Sequence, residues 1–286
     1  MRDMTALASP SLEGRRAGTV GGAKARAWIA QQFASIPLMA VVGAEYVQPF
    51  SLTTRDVRAI LPGGRPYRAD FAAANVVGRI AGHDADASTI LITAHYDHLG
   101  VQSGKVYPGA DDNASGVAAL LATARYFATS RPRHSMLFAA LDAEELGHHG
   151  ARALLRSGLV PRTNTALNVN LDMVSRNAAN EIYAAGPYYS PWQMAILQDV
   201  QTRASVKILF GHDRPPRLGG GLEDWTHSSD HGVFHDAGMP FVYFGVEDHP
   251  DYHQPTDTAD RIEARFFGDA VDMVIEAIRA FDAHLK

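Results

Sequence analysis

Two histidines and five carboxylates of this 286-residue chain stand directly after short apolar runs or in the turns that follow them. They are His95, Asp97, Asp112, Glu144, Glu145, Asp172 and His253. Imidazoles and carboxylates without cysteine suit a pair of divalent ions roughly 3.5 to 4 Å apart, bridged by one carboxylate and a water. Such ions activate water near neutral pH and polarise a carbonyl, so these residue types predict metal-dependent hydrolysis.

Two pairs of neighbouring residues indicate different tasks for their members. Glu144 and Glu145 are adjacent beyond a strand end and point in different directions, so one binds metal while the other remains free as a general base. Asp97 follows His95 by two residues and is placed to orient that imidazole. The pattern therefore separates metal ligands from groups that move protons.

Each of these residues also has a purely structural interpretation. A single histidine at a strand end is more often a hydrogen-bonded structural residue. Asp112 also fits a helix N-cap, and Glu144 with Glu145 fits a first-turn pair favoured by the helix dipole. Other histidines are interpreted as structural residues or as groups that orient ligands: His98, His148, His149, His231 and His249. No single residue decides between the two interpretations.

Alternating strands and helices must position these side chains. The apolar runs 89–94, 135–141 and 165–174 are typical of buried strands, and each delivers polar residues at or near its carboxyl end. Further strands are predicted at 46–50, 57–61, 75–80, 181–185, 206–210 and 240–244, and helices at 23–36, 115–129, 148–157, 191–204 and 262–284. The alternation predicts an α/β fold whose mainly parallel sheet is covered on both faces and binds ligands at one edge.

Two glycine-rich segments interrupt this pattern. Residues 9–22 are predicted to form a surface loop, because the Lys-Ser/Thr ending of a phosphate-binding loop is missing. Residues 211–222 are too rich in Gly and Pro for a regular element, and they fit either a loop that shapes a substrate pocket or a solvated loop.

Composition narrows the class of protein. The 26 basic and 31 acidic residues give a net charge of −5, which disfavours nucleic acid and anionic membranes as partners. No apolar stretch approaches the roughly 20 residues of a membrane span. The absence of cysteine excludes thiolate ligands and favours zinc held by His, Asp and Glu, with manganese or cobalt as alternative ions. Length and the lack of a linker predict a single domain over residues 1–286.

Taken together, these motifs resemble those of the zinc aminopeptidase family M28, the co-catalytic di-zinc peptidases. The matching blocks occur in the family's order between about Leu12 and Thr258: His95-Tyr96-Asp97, residues 109–116 (GADDNASG), Glu144-Glu145-Leu146-Gly147, Asn170-Leu171-Asp172-Met173, Ser229-Asp230-His231 and residues 252–258 (YHQPTDT). The resemblance covers most of the chain. It implies a three-layer α/β/α sandwich with a mixed, mostly parallel central sheet.

The resemblance also implies a role for each matched residue. The metal ligands would be Asp112 between two zinc ions, His95 and Asp172 on one of them, and Glu145 and His253 on the other. Glu144 would be the general base that activates the shared water and then passes the proton to the leaving amine. Asp97 would steady His95, and Tyr252 resembles the tyrosine with which some members stabilise the oxyanion.

The favoured function is an aminopeptidase that acts on peptides with a free N-terminus. Some relatives remove carboxyl-terminal residues instead, and Arg214 and Arg217 would then bind the carboxylate. A glutaminyl cyclase uses one zinc, which fits less well because the ligands of both ions are present. A catalytically silent binding homologue would have lost a ligand or the base, and none is lost here.

The beginning of the chain bears on its compartment. Met1-Arg2-Asp3-Met4 contains no apolar signal region, which fits a cytosolic protein or a precursor whose signal has been removed. Because many members of the resembled family are exported, we expect a periplasmic or extracellular location. The oligomeric state is not indicated by the sequence.

Overall fold

The computed structural model describes residues 1–53, 71–215 and 222–285. Within these ranges the strands are β1 (Met39–Ala40), β2 (Val47–Leu52), β3 (Phe71–Ile80), β4 (Thr89–His95), β5 (Gly100–Gln102), β6 (Lys105–Tyr107), β7 (Ser135–Leu141), β8 (Thr165–Leu171), β9 (Glu181–Ala185), β10 (Lys207–Phe210) and β11 (Phe241–Gly245). The α-helices are α1 (Arg2–Leu7), α2 (Val20–Ser35), α3 (Gly116–Ser130), α4 (His149–Arg156), α5 (Trp192–Gln201), α6 (His231–Asp236) and α7 (Ala264–His284).

One mixed sheet of nine strands organises the described residues. Its order is β1-β3-β7-β4-β8-β11-β9-β10, and β2 pairs with β3. The four neighbours β7, β4, β8 and β11 pair in parallel. Antiparallel pairing occurs on either side of them, where β3 meets β7 and β9 meets β11. Because parallel neighbours end at the same edge, the segments after β4, β7, β8 and β11 emerge side by side.

Alternate residues of the central strands enter two separate cores. Ile90 and Ile92 of β4 pack with helices α1, α2, α3, α5 and α7, whereas Leu91 packs with α4 and α6 on the opposite face. Successive strand side chains point to opposite faces, so a strand covered on both faces is apolar throughout. The predicted three-layer α/β/α sandwich with a mixed central sheet is confirmed, and its central four strands are parallel.

Most predicted elements agree with the structure to within a few residues. The strand predicted at 165–174 ends already at Leu171, which leaves Asp172 in the turn beyond it. Buried phenylalanines of α7, such as Phe267 and Phe281, pack the end of the chain onto the sheet as predicted. The strand predicted at 57–61 and part of the loop at 211–222 lie outside the described residues. None of the described helices is both long enough and apolar enough to cross a bilayer.

The prediction of a surface loop at residues 9–22 is wrong. Residues 10–15 form a 3₁₀ turn in which Gly14 and Arg15 are buried, and α2 begins already at Val20. The Thr19 side chain accepts a hydrogen bond from the Gly22 N–H and caps this helix. Helix caps and tight turns select the same small polar and glycine residues as loops do, which explains the error.

The segment between His98 and the turn at Asp112 contains two short strands. Strands β5 and β6 form a two-stranded hairpin in which Gly100 pairs with Tyr107. Ser103 and Gly104 at its tip have positive φ angles of 49° and 77°. This is the backbone twist that two-residue hairpin turns need.

Candidate metal centre

The predicted ligands converge at the carboxyl edge of the four central strands. His95 is the last residue of β4, and Asp172 directly follows β8. Glu145 comes from the turn after β7, and His253 from the segment between β11 and α7. Asp112 belongs to a short helical turn at 110–115 that leads into α3. The sheet topology thus brings together residues that are far apart in sequence.

Their donor atoms form two groups that share one carboxylate. The first, called the His95 group, consists of His95, Asp112 and Asp172, and the second, called the His253 group, of His98, Asp112, Glu145 and His253. Asp112 Oδ1 lies 3.4 Å from His95 Nε2, while its Oδ2 lies 3.0 Å from His253 Nε2. The two oxygens of Asp112 therefore face different groups, as a bridging ligand requires.

The spacing of the donor atoms fits zinc. His95 Nε2 is 3.3 Å from Asp172 Oδ1, and His253 Nε2 is 3.5 Å from Glu145 Oε2. Two ligands bound to one zinc at about 2.0–2.1 Å in tetrahedral geometry are about 3.3 Å apart. The donors are imidazole nitrogens and carboxylate oxygens, the types that zinc accepts in the absence of cysteine. The residues present therefore fit a zinc ion in each group.

Electrostatics keep the shared carboxylate ionised. Burial acts to raise the pKa of Asp112, but His98, His253 and His95 surround it and hold its pKa well below the usual value. Asp112 is consequently an anionic oxygen donor on both sides.

Glu144 lies beside the two groups without belonging to either. Its Oε2 is 4.0 Å from His95 Nε2, and its Oε1 is 3.1 Å from His148 Nε2. Burial raises the pKa of Glu144 well above its ordinary value, and Glu145 and Asp172 add to the shift against the attraction of His95. Such a carboxyl group exchanges protons more readily near neutral pH than an exposed glutamate does.

Asp97 makes a different main contact from the one expected. His95 Nδ1 lies 3.2 Å from the backbone oxygen of Asp97 and 3.7 Å from its carboxylate. The carboxylate instead accepts a hydrogen bond of 2.9 Å from the backbone N–H of Glu144. Asp97 therefore ties the turn after β4 to the turn after β7, and it reaches the His95 ring chiefly through its main chain.

Tyr252 lies next to His253 in space as well as in sequence. Their rings stack with centroids 4.0 Å apart. Burial raises the pKa of the Tyr252 phenol above its usual value, so the hydroxyl remains a donor at neutral pH. Tyr252 also lines the cavity into which both groups open.

The turn that carries Asp112 is fixed by a second carboxylate. Asp257 accepts hydrogen bonds of 3.1 Å from the backbone N–H groups of Asp111 and Asp112. Asp111 in turn accepts from Ser175 and lies 3.1 Å from His249 Nε2. Asp111 and Asp257 both belong to the motif blocks, and they hold the position of Asp112 without being part of either group.

His98 is the residue of the centre that the sequence did not single out. Its ring is buried, and Nδ1 lies 2.8 Å from Glu145 Oε1 and 3.5 Å from Asp112 Oδ2. The interpretation of His98 as only structural or orienting is incomplete, because its nitrogen lies among the donor atoms of the His253 group. The spacing His95-x-x-His98 beyond a strand end was the signal that could have found it.

Both groups open on one polar cavity. Its wall contains the five predicted ligands, Glu144 and, besides these, Met173, Glu223, Trp225, Ser228, Tyr243, Val246, Asp248 and Tyr252. Glu223 and Asp248 are exposed at its rim. No lysine or arginine of the described residues lines this cavity. The described wall therefore favours a cationic over an anionic group.

Comparison with known proteins agrees with this geometry. The model of peptidase family M28 matches residues 75–278, so the chain belongs to peptidase family M28. Aminopeptidase YwaD of Bacillus subtilis is 31% identical over 209 residues, which cover 66% of this chain and 40% of that relative. The chain thus spans less than half of the length of this curated relative.

Two solved structures share the fold at lower identity. A zinc aminopeptidase from Bacillus subtilis has a TM-score of 0.73 at 18% identity, over 97% of this chain and 93% of the other. The glutaminyl cyclase of Porphyromonas gingivalis has a TM-score of 0.73 at 18% identity, over 97% and 95%. The same sandwich therefore supports different reactions, and the reaction must be argued from the site.

Substitution of Gly109 tests whether the turn before Asp112 sets the metal geometry. A Cβ at Gly109 would lie 2.1 Å from the Asp112 carbonyl oxygen and 2.5 Å from His98 Cδ2. We expect Gly109→Ala to weaken zinc binding in competition with a chromophoric chelator. Gly104→Ala is the matched control, because Gly104 also has a positive φ but a Cβ there meets no atom within 4 Å. Equal zinc affinity in the two variants would contradict this expectation.

Replacement of His98 tests its membership of the His253 group. His98→Phe retains a buried ring but removes both nitrogens, and we expect the affinity for one of two zinc ions to fall by about 10- to 100-fold. Calorimetric zinc titration measures this loss. His134→Phe is the control, because His134 is equally buried but pairs with Asp282 at the opposite end of β7. If His98→Phe and His134→Phe bind zinc alike, His98 has no part in the centre.

Proposed function

We propose that this chain is a zinc-dependent aminopeptidase that hydrolyses the first peptide bond of substrates with a free N-terminus. The observation that carries the proposal is the pair of donor groups joined by Asp112, with Glu144 beside them and outside both. A joined pair of metal sites next to a free carboxyl group is the arrangement that two-metal hydrolysis needs. The peptide substrate and the zinc ions are its proposed partners and cofactors.

The ligand roles in this proposal follow the two groups. Asp112 would be shared by two zinc ions, with His95 and Asp172 holding one and Glu145 and His253 the other. His98 of the second group lies beside Glu145, with its Nδ1 2.8 Å from Glu145 Oε1. When bound, the ions would polarise the scissile carbonyl and lower the pKa of the water they share. Manganese or cobalt would meet the same donor set as substitutes.

The protein's own groups then move protons and hold the substrate. Glu144 takes a proton from the attacking water and returns it to the leaving amine. The Tyr252 hydroxyl, which stays protonated, donates a hydrogen bond to the oxygen that becomes negative at the tetrahedral carbon. Asp97 keeps the Glu144 turn against the end of β4 through its bond to the Glu144 N–H. Asp97 and Glu144 act from turns that directly follow β4 and β7, whereas Tyr252 lies in the segment between β11 and α7.

The charge of the cavity supports the amino-terminal choice. Glu223 and Asp248 at the rim attract the ammonium group of a peptide N-terminus and repel a C-terminal carboxylate. Arg214, which a carboxypeptidase would use to bind that carboxylate, lies 6.0 Å from the centroid of the Tyr188 ring and does not line the cavity. Arg217 lies outside the described residues. Carboxypeptidase activity is therefore less well supported.

The geometry of the site favours neither a cyclase nor a catalytically silent homologue, although the fold is shared with a glutaminyl cyclase. A one-zinc, cyclase-like reaction has no use for a complete second group, yet both groups retain all their donors. A silent homologue is less well supported, because the carboxyl group of Glu144 lies beside two groups of candidate metal donors.

The extent and location of the enzyme are further parts of the proposal. We propose that residues 1–286 act as a single catalytic domain, because the proposed ligands all meet at one edge of a single sheet. The periplasmic or extracellular location also stays a proposal, which cell fractionation of the native host would test.

A comparison of substrates with a free and with an acetylated N-terminus tests the aminopeptidase proposal. We expect the zinc-loaded protein to hydrolyse amino-acid 4-nitroanilides, and their N-acetylated forms at least about 100-fold more slowly, because the acid rim and a metal anchor a free amine. Initial rates on paired substrates measure the ratio. Equal rates on free and acetylated substrates would refute the amino-terminal assignment, and release of C-terminal residues from N-acetylated peptides would favour a carboxypeptidase.

Glu144→Gln tests the base. The substitution keeps the shape but removes the proton acceptor, so we expect kcat to fall by about 10²- to 10⁴-fold. Zinc content should remain that of the unmodified protein, because Glu144 belongs to neither group. Glu276→Gln on the exposed face of α7 serves as the control and should leave kcat unchanged. Full activity of Glu144→Gln with normal zinc content would refute the mechanism.

A further inference from the structure

Arg15 is a buried cation below the metal centre. It is the one arginine of the described residues whose side chain is fully buried. Taking a guanidinium out of water is costly unless its N–H groups find acceptors. A buried arginine at this position therefore needs a compensating structure.

Four backbone carbonyls provide the compensation. Arg15 Nε donates to Tyr96 O at 2.8 Å, and Nη2 donates to Gly109 O at 2.8 Å. Nη1 donates to Leu7 O at 2.8 Å and to Pro108 O at 2.5 Å. Four of the five N–H groups of the guanidinium are thus used, and all four acceptors belong to the main chain.

Three of these four acceptors lie in the two segments that carry proposed ligands. Tyr96 stands between His95 and Asp97, and Gly109 precedes Asp112 by three residues. One planar guanidinium thereby joins the end of β4 to the turn that presents the shared carboxylate. The remaining contact, to Leu7 O, adds the N-terminal helix α1 to the same junction.

The turn that holds Arg15 fits closely against the rest of the molecule. Gly14 has φ 65°, and a Cβ there would lie 2.4 Å from Tyr107 O and 2.6 Å from Gly100 O of the β5–β6 hairpin. Only glycine allows the turn to approach this closely. The position of Arg15 is therefore fixed by packing and not by its hydrogen bonds alone.

The charge of Arg15 acts on the same carboxylates. Burial lowers the pKa of Arg15 to about 10, and attraction by Asp112, Asp257, Asp97 and Glu145 opposes that shift. The guanidinium remains protonated at neutral pH. It is thus a permanent positive charge behind a group of carboxylates that repel one another.

We propose that Arg15 is a positioning residue of the metal centre, which holds the segments of His95 and Asp112 at ligand spacing and offsets part of their negative charge. The match to the family model begins at residue 75, so the proposal adds an N-terminal segment outside that match to the centre. This inference rests on the proposed ligand roles of His95 and Asp112.

Two variants and one control test the proposal. Arg15→Met keeps the length of the side chain but removes its charge and donors, and Arg15→Lys keeps the charge with fewer donors. We expect Arg15→Met to weaken zinc binding by about 10- to 100-fold, as loss of a ligand-supporting contact does. Arg15→Lys should fall between Arg15→Met and the unmodified protein, and both variants should change the visible spectrum of the cobalt-loaded protein.

Arg133→Met is the matched control. Arg133 also donates to a main-chain carbonyl, that of Leu285, but from the opposite end of β7. Loss of that contact should lower the thermal unfolding temperature and leave zinc affinity and the cobalt spectrum unchanged. If Arg15→Met likewise lowers only the thermal unfolding temperature and leaves zinc affinity and the cobalt spectrum unchanged, Arg15 has a merely structural role and the proposal is overturned.

A measurement on the unmodified protein covers the case in which the variants do not fold. We expect the Arg15 Nε–H signal in a ¹⁵N spectrum to exchange slowly and to shift when zinc is added to the metal-free protein. If the chemical shift of the Arg15 Nε–H signal does not change on zinc addition, the proposed role of Arg15 is overturned. Failure of the unmodified protein to bind zinc would instead refute the proposed function, so the two failures are distinguishable.

Discussion

Repulsion among carboxylates is the constraint on which this centre depends. Two like charges 4 Å apart repel by about 1 kcal/mol in water and by about 4 kcal/mol at an effective dielectric constant of 20. The carboxyl edge of the sheet gathers several such groups in a buried place: Asp97, Asp112, Glu144, Glu145 and Asp172. They stay together because the Arg15 guanidinium and, in our proposal, two metal ions supply positive charge beside them.

The turn that carries Asp112 shows how the scaffold meets this constraint. Asp257 accepts the N–H groups of residues 111 and 112, while Arg15 donates to the carbonyls of residues 108 and 109. The Asp257 carboxylate thus binds the N–H groups of this short segment, and the Arg15 guanidinium binds its carbonyl groups. The carboxylate of Asp112 is left free to present one oxygen to each donor group. Protein contacts fix the ligand geometry, so zinc would meet a largely prearranged site.

The sequence predicted the parts of this centre that follow from periodicity. His95, Glu145 and Asp172 stand after apolar runs, and parallel pairing of those runs necessarily brings their ends together. Arg15 and His98 could not be predicted in this way, because their positions depend on how a 3₁₀ turn and a hairpin pack under the sheet edge. At residues 9–22 composition led to a wrong prediction, because glycines that are typical of a surface loop occur there in a buried turn. Local patterns thus specify strand ends, whereas tertiary packing decides which neighbouring residues reach the site.

In the proposed function, selectivity for one end of a peptide would depend on other residues than those proposed to bind metal and move protons. The metal donors are anchored to strand ends and to the turn at Asp112, and they would serve a peptide in either orientation. Glu223 and Asp248 instead reach the cavity from segments without regular structure, outside the central strands. An ammonium group gains from these acids, while a carboxylate at the same place would meet repulsion from them. Because loops change more freely than strand ends, the rim can alter substrate choice while the metal groups remain intact.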